Sequence, residues 1–168
     1  VIYTAALILI LMYALAQLNL LFNYLRNRKK HDRCAMFDLS NPEEIPYVTI
    51  QLPVYNELYV MDRLLENIAA IEYPREKLEI QVLDDSTDES LETTAAHIEA
   101  LKKSGLDIVH VTRVDRKGFK AGALKEGLTT AKGEFIAIFD ADFLPKKKWL
   151  LNTIPYFKDR NIGVVQTR

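Results

Sequence analysis

A single cysteine in 168 residues excludes a disulfide-stapled scaffold and a Cys-rich zinc site. Six glycines and six prolines are too few for a collagen-like or low-complexity chain, and there is no internal repeat. Neither sign of charge dominates: 22 basic residues face 23 acidic ones, for a net charge of −1. No G-x-x-x-x-G-K-[ST] string is present, which rules out a Walker-type phosphate loop. No G-x-G-x-x-G follows the first apolar run of the soluble part, which argues against a dinucleotide. The three histidines, His31, His97 and His110, show no metal-ligand spacing and read as incidental.

Charge is missing altogether from residues 1–22, where Thr4, Gln17 and Asn19 are the main polar interruptions. As a helix this stretch reaches roughly 33 Å, enough for a hydrocarbon core of about 30 Å. A cleaved signal peptide is the rival reading, since Ala14-Leu15-Ala16 has the small-residue pattern of a cleavage site. Signal sequences, however, carry a shorter apolar run with the positive charge before it. Here the basic residues Arg26, Arg28, Lys29, Lys30 and Arg33 follow the run against Asp32 alone, a local balance of +4. The expectation is a membrane-spanning helix over residues 1–22, a basic juxtamembrane linker over 23–46, and the remainder facing the cytoplasm. Cys34 beside the basic cluster reads as an idle thiol rather than an acylation site. Residues 34–168 sum to −5, which argues against a nucleic-acid surface.

Beyond the linker, two periodicities alternate. Strands are expected at Val48–Leu52, Leu78–Leu83, Asp107–Thr112, Glu134–Phe139 and Gly163–Gln166. Helices are expected at Glu57–Glu72, Asp88–Lys103, Lys120–Ala131 and Lys147–Phe157. On the second of these helices, Leu91, Ala95, Ile98 and Leu101 form the apolar face. Strands alternating with helices of this length predict an α/β fold with a mostly parallel sheet and right-handed crossovers. Such sheets bind ligands beyond the carboxyl ends of their strands.

The carboxylates gather at that edge. Tyr55-Asn56-Glu57 follows the first strand, Asp84-Asp85 ends the second, and Asp140-Ala141-Asp142 ends the fourth. Two aspartates flanking one small residue repel each other unless a cation or donor lies between them, and hard oxygen ligands suit Mg²⁺ or Mn²⁺. Capping or turn formation is the plainer role for an aspartate at a strand end, but three acidic groups on one edge weaken that reading. The loop Arg113–Gly122 adds Arg113, Arg116, Lys117 and Lys120 with two glycines at the start of a helix. A cationic loop beside an acidic, metal-binding turn suits a diphosphate. Trp149 reads as packing near the sheet edge.

Five strings are specific as an ensemble: QLPVYNE (Gln51–Glu57), LEIQVLDDSTDES (Leu78–Ser90), RKGFKAGALKEGL (Arg116–Leu128), FIAIFDADFLP (Phe135–Pro145) and GVVQTR (Gly163–Arg168). In order and spacing they resemble family 2 glycosyltransferases of the cellulose-synthase superfamily, with wording nearest the glucomannan/mannan synthase and xyloglucan-backbone synthase branches. The resemblance covers residues 47–168. It implies a GT-A fold, a Rossmann-like nucleotide-binding half preceded by one transmembrane helix. It also implies inverting transfer of a hexose from a nucleotide sugar, UDP-glucose or GDP-mannose, to a growing β-linked polysaccharide. By resemblance Pro53, Tyr55 and Glu57 line the base and ribose. Asp85 contacts the base with Asp84 supporting it, and this pair carries the catalytic assignment within the chain. Lys120 approaches the diphosphate. Asp140 and Asp142 form the D-x-D, one facing the ribose–phosphate region and the other the metal, Mg²⁺ or Mn²⁺, and both are metal-site candidates.

An inverting transfer also needs a base to take the acceptor proton. In the family that base is the Asp of a T-E-D motif, followed by a Q-x-x-R-W motif, and neither string occurs here. The resemblance therefore predicts the donor-binding half of an enzyme. Two other functions remain open: a polyprenol-phosphate glycosyltransferase, and a non-catalytic membrane-tethered nucleotide-binding module.

Overall fold

The computed structural model describes residues 2–27 and 41–167. Most of the expected linker lies outside the described residues, and with it Arg28, Lys29, Lys30, His31, Arg33, Cys34 and Asp32. Arg168, the last residue of the fifth string, also lies outside them. The N-terminal helix is one unit and the α/β body another.

Helix α1 (Ile2–Asn27) is the N-terminal unit. Its segment Ile2–Arg26 is long and apolar enough to cross a membrane by length and composition, and none of its most apolar window is buried.

In the body, four parallel strands form one sheet in the order β3-β2-β1-β4. They are β1 (Val48–Val54), β2 (Leu78–Asp84), β3 (Ile108–Thr112) and β4 (Phe135–Ile138). Helix α2 (Met61–Ala69) joins β1 to β2, α3 (Ser90–Lys103) joins β2 to β3, and α4 (Phe119–Thr130) joins β3 to β4. The chain moves outward from β1 to β3, then returns through α4 to pair β4 on the other side of β1. That reversal leaves a crevice between the carboxyl ends of β1 and β4, where open α/β sheets hold ligands.

The two central strands are buried on both faces, yet they alternate. Val48, Ile50 and Leu52 of β1 and Leu78, Ile80 and Val82 of β2 join the apolar core with Leu64, Leu65 and Ile68 of α2 and Ile98 of α3. The intervening residues are polar and pair with each other. The Thr49 hydroxyl donates to Glu79 at 2.7 Å, and the Gln51 amide to Gln81 at 3.0 Å. Glu79 also accepts from the Lys132 backbone N–H at 2.9 Å. A buried polar group without a partner is destabilising, so this layer is tolerable because its members satisfy one another. Helix α4 lies against it at Gly127, where a Cβ would stand 2.7 Å from Leu83 Cδ2 and 2.8 Å from Gln51 Nε2.

Four sequence expectations are corrected. Gly163–Gln166 forms no strand, because it joins no ladder and Val164 is exposed. The helix expected over Lys147–Phe157 is split into α5 (Trp149–Thr153) and a 3₁₀ turn at Ile154–Lys158. Pro155 has no N–H for the helical ladder, which accounts for the break. Helix α2 begins at Met61 rather than Glu57, because Asn56 takes a left-handed conformation with φ of 55° and turns the chain first. On α3 the buried positions are Ser90, Thr94 and Ile98, so the inward face is more polar than its leucines suggested.

Candidate functional site

The loops after β1 and β2 are tied together before any ligand is considered. The Asn56 backbone N–H donates to Ser86 Oγ at 2.8 Å, and Asn56 Oδ1 accepts from the Thr87 N–H at 2.9 Å. This clasp fixes Tyr55 and Glu57 relative to Asp84 and Asp85. Short polar side chains of this kind bond readily to nearby backbone, and asparagine tolerates positive φ.

Asp84 is buried at the end of β2. Its Oδ2 lies 2.9 Å from His110 Nε2, and its Oδ1 accepts the Ser86 N–H at 2.9 Å. Burial alone would raise its pKa, but the hydrogen bonds from His110 and Ser86 outweigh it and hold the carboxyl below its ordinary range. His110 is therefore not incidental; it fastens β3 to the acidic end of β2. Its position in β3, opposite Val82 and two residues short of the strand end, was the available signal.

Asp85 is held by Arg113. Nε donates to Oδ1 at 2.9 Å and Nη2 to Oδ2 at 2.5 Å. The Arg113 guanidinium also donates to the carbonyls of Lys117 and Phe119 at 3.2 and 3.1 Å. Hydrogen bonding to Asp85 raises the Arg113 pKa, so this cation is permanent. The loop that reads as uniformly basic thus spends one arginine on its own architecture. Gly118 (φ 78°) and Phe119 (φ 48°) are left-handed where the loop enters α4. A Cβ at Gly122 would stand 2.0 Å from the Lys117 carbonyl oxygen, so only glycine lets the loop fold back onto the helix.

The fourth strand delivers Asp140 and Asp142 to the same edge. Asp140 forms an exposed ion pair with Lys120, which joins the acidic turn to the start of α4. Asp142 is exposed and makes no hydrogen bond or ion pair among the described residues. Behind them Phe139 packs edge-on to Trp149, with ring centroids 4.8 Å apart. Trp149 Nε1 donates to Thr167 at 2.9 Å, in keeping with a packing role at the sheet edge.

Pro53, Tyr55, Glu57, Asp85, Lys120, Asp140 and Asp142 all line one cavity of about 490 Å³, together with Arg116 and Phe119. Asp84 stands behind this wall. A neighbouring cavity of about 580 Å³ shares Lys120, Asp140 and Asp142 and is otherwise largely apolar, with Phe139, Phe143, Trp149 and Phe157 in its lining. Among the described residues no group of three or more His, Cys, Asp or Glu side chains is placed to hold a metal. Two hard carboxylates, one of them unpaired, do fit a divalent cation that takes its remaining oxygens from phosphate and water.

A parallel sheet with a cavity at its switch point, lined by acidic and basic groups, is the ligand crevice of an open α/β protein. The chain belongs to glycosyl transferase family 2, whose family model matches residues 49–168. It is 44% identical over 130 residues to probable glucomannan 4-beta-mannosyltransferase 7 of Oryza sativa subsp. japonica, covering 74% of this chain and 22% of that protein. It is 37% identical over 163 residues to glucomannan 4-beta-mannosyltransferase 1 of Cyamopsis tetragonoloba, covering 92% of this chain and 31% of that protein. Among solved structures it resembles the mannosyltransferase PcManGT from Pyrobaculum calidifontis, in complex with GDP-Man and Mn²⁺. That likeness has a TM-score of 0.68 at 35% identity and covers 85% of this chain and 41% of the other. The chain thus spans less than a third of the length of the two plant relatives. The resemblance read from the motifs is borne out, as is the GT-A fold.

Proposed function

We propose that the chain is the donor-binding region of a membrane-anchored, inverting hexosyltransferase that moves mannose from GDP-mannose to a growing β-linked polysaccharide. The observation that carries this reading is the convergence of three motifs on one cavity: Pro53, Tyr55 and Glu57 after β1, Asp85 after β2, and Asp140 and Asp142 after β4. The names of the plant relatives and the GDP-Man and Mn²⁺ of the archaeal neighbour support mannose as the sugar and guanosine as the nucleoside.

In this reading Pro53, Tyr55 and Glu57 line the base and ribose, and Asp85 faces the base. Lys120 leaves Asp140 to meet the diphosphate, and Asp140 then faces the ribose–phosphate region. Asp142, with Asp140, would hold Mg²⁺ or Mn²⁺. That ion would supply positive charge against the leaving nucleoside diphosphate, the task Lys120 shares. Asp84 and Asp85 are fastened to His110 and Arg113, so they position the donor rather than remove the acceptor proton. Helix α1 is the membrane anchor, and Arg26 in its last turn agrees with a cytoplasmic body.

Calorimetry on the detergent-solubilised chain in Mn²⁺ tests the donor assignment. GDP-mannose is expected to bind at least about tenfold more tightly than UDP-glucose. Equal binding removes the assignment of the nucleotide, and binding of neither removes the donor site. A reporter fused after residue 168 tests the topology; activity confined to the external side contradicts a cytoplasmic body.

A further inference from the structure

Two arginines of one loop flank Asp85, and they are held very differently. Arg113 makes four hydrogen bonds. The Arg116 side chain makes none among the described residues. Its guanidinium carbon sits over the Tyr55 ring, 3.4 Å from the centroid, and 5.6 Å from the centroid of Phe119. Its Nε is buried without a hydrogen-bond partner, 3.8 Å from Asp85 Oδ2 and too far to donate to it. A buried N–H left unpaired is unfavourable, so Arg116 is held here by its stack on Tyr55 and by a longer-range ion pair with Asp85, without a hydrogen bond.

We infer that Arg116 is a displaceable place-holder in the nucleobase slot: its guanidinium covers the face of Tyr55 that a base must stack on, and it must leave before a nucleotide seats. This rests on the donor-site reading given above. The slot suits a flat group with N–H edges, because an aromatic face and a carboxylate stand side by side in Tyr55 and Asp85. A guanidinium meets both requirements, and so does a nucleobase, but one ring face cannot hold two planar groups at stacking distance. Arg113 is anchored to two loop carbonyls as well as to Asp85, so it stays. Arg116 has no such anchor, and Phe119 and Lys120 line the same cavity only a few residues on. Once displaced, its charge remains on the loop that faces the incoming diphosphate. Arg116 therefore opposes the base and favours the phosphates, which raises discrimination against the bare nucleoside.

The test separates those two contributions by titrating guanosine and GDP, both in Mn²⁺, into the full chain and its Arg116→Ala variant. Guanosine is expected to bind the variant about 3- to 10-fold more tightly, the range a stacked cation of this kind is worth. GDP is expected to gain less than guanosine, or to lose affinity. In a Tyr55→Leu background Arg116→Ala should bring no gain for guanosine, because no ring face is left to uncover. Unchanged or weaker guanosine binding in Arg116→Ala overturns the inference, as does a gain that survives Tyr55→Leu. Absence of GDP binding by the unaltered chain overturns the donor-site reading and this inference together. GDP binding with unimproved guanosine affinity overturns the inference alone.

Discussion

Arg113 grips Asp85 through both carboxylate oxygens; Asp85 is buried and Arg113 partly so. Removing one partner of such a pair leaves the other charged and desolvated. Arg113→Ala is expected to lower stability by about 3 kcal/mol or more, read as a shift of the urea midpoint. Arg113→Lys keeps the charge but not the fork, and should recover only part of the loss. Wild-type stability in Arg113→Ala contradicts this assignment.

Asp84 makes an acid-sensitive contribution to stability. Its carboxyl is held below its ordinary pKa, so its contribution is complete above the unfolded value of about 3.9 and is lost as pH falls through the lower folded value. The difference in unfolding free energy between the wild type and Asp84→Asn should therefore be constant near neutrality and shrink below about pH 4. A difference that grows in acid contradicts the His110 and Ser86 bonds as its cause.

Two glycines on α4 do different work from the one near the chain's end. Gly127→Ala places a Cβ 2.7 Å from Leu83 and 2.9 Å from Gln81. Its expected loss is about 1–3 kcal/mol through overpacking. Gly122→Ala collides with the Lys117 carbonyl and should displace the loop that presents Arg116 and Lys120. Gly163 has open space around it and no positive φ, so Gly163→Ala should be neutral. Thermal melts of the three variants check that order, and nucleotide titration should single out Gly122→Ala.

Lys120→Ala should weaken GDP binding by roughly 1–3 kcal/mol, the worth of a charge-assisted bond. Lys103→Ala, at the solvated end of α3, should leave it unchanged. Equal titrations for the two variants return the loop to a merely solvated role.

Four of the five expected strands are legible as short apolar runs, and the motifs that follow β1, β2 and β4 lie at one edge of the sheet. What escaped the sequence depends on contacts between distant segments. Nothing in the string RVDRKG tells Arg113, fastened to Asp85, from Arg116, resting on Tyr55; the difference arises only when β2 and β3 lie side by side. His110 meets Asp84 for the same reason. Thr49, Gln51, Glu79 and Gln81 look like solvent-facing alternation until α4 covers them. Gly163–Gln166 has strand-like residues, but a strand needs a neighbour's ladder as well as propensity.

The central claim is that this edge of the sheet binds a nucleoside diphosphate through a divalent cation held by Asp142 and Asp140. Calorimetric titration of GDP into the full chain, with Mn²⁺ and then with a chelator, tests it most directly, with Asp142→Asn as the paired variant. The account predicts at least about tenfold tighter binding in Mn²⁺, roughly 1.4 kcal/mol, and loss of that difference in Asp142→Asn with the fold intact by circular dichroism. Equal GDP affinity with and without the ion, or an unaltered metal response in Asp142→Asn, would contradict it.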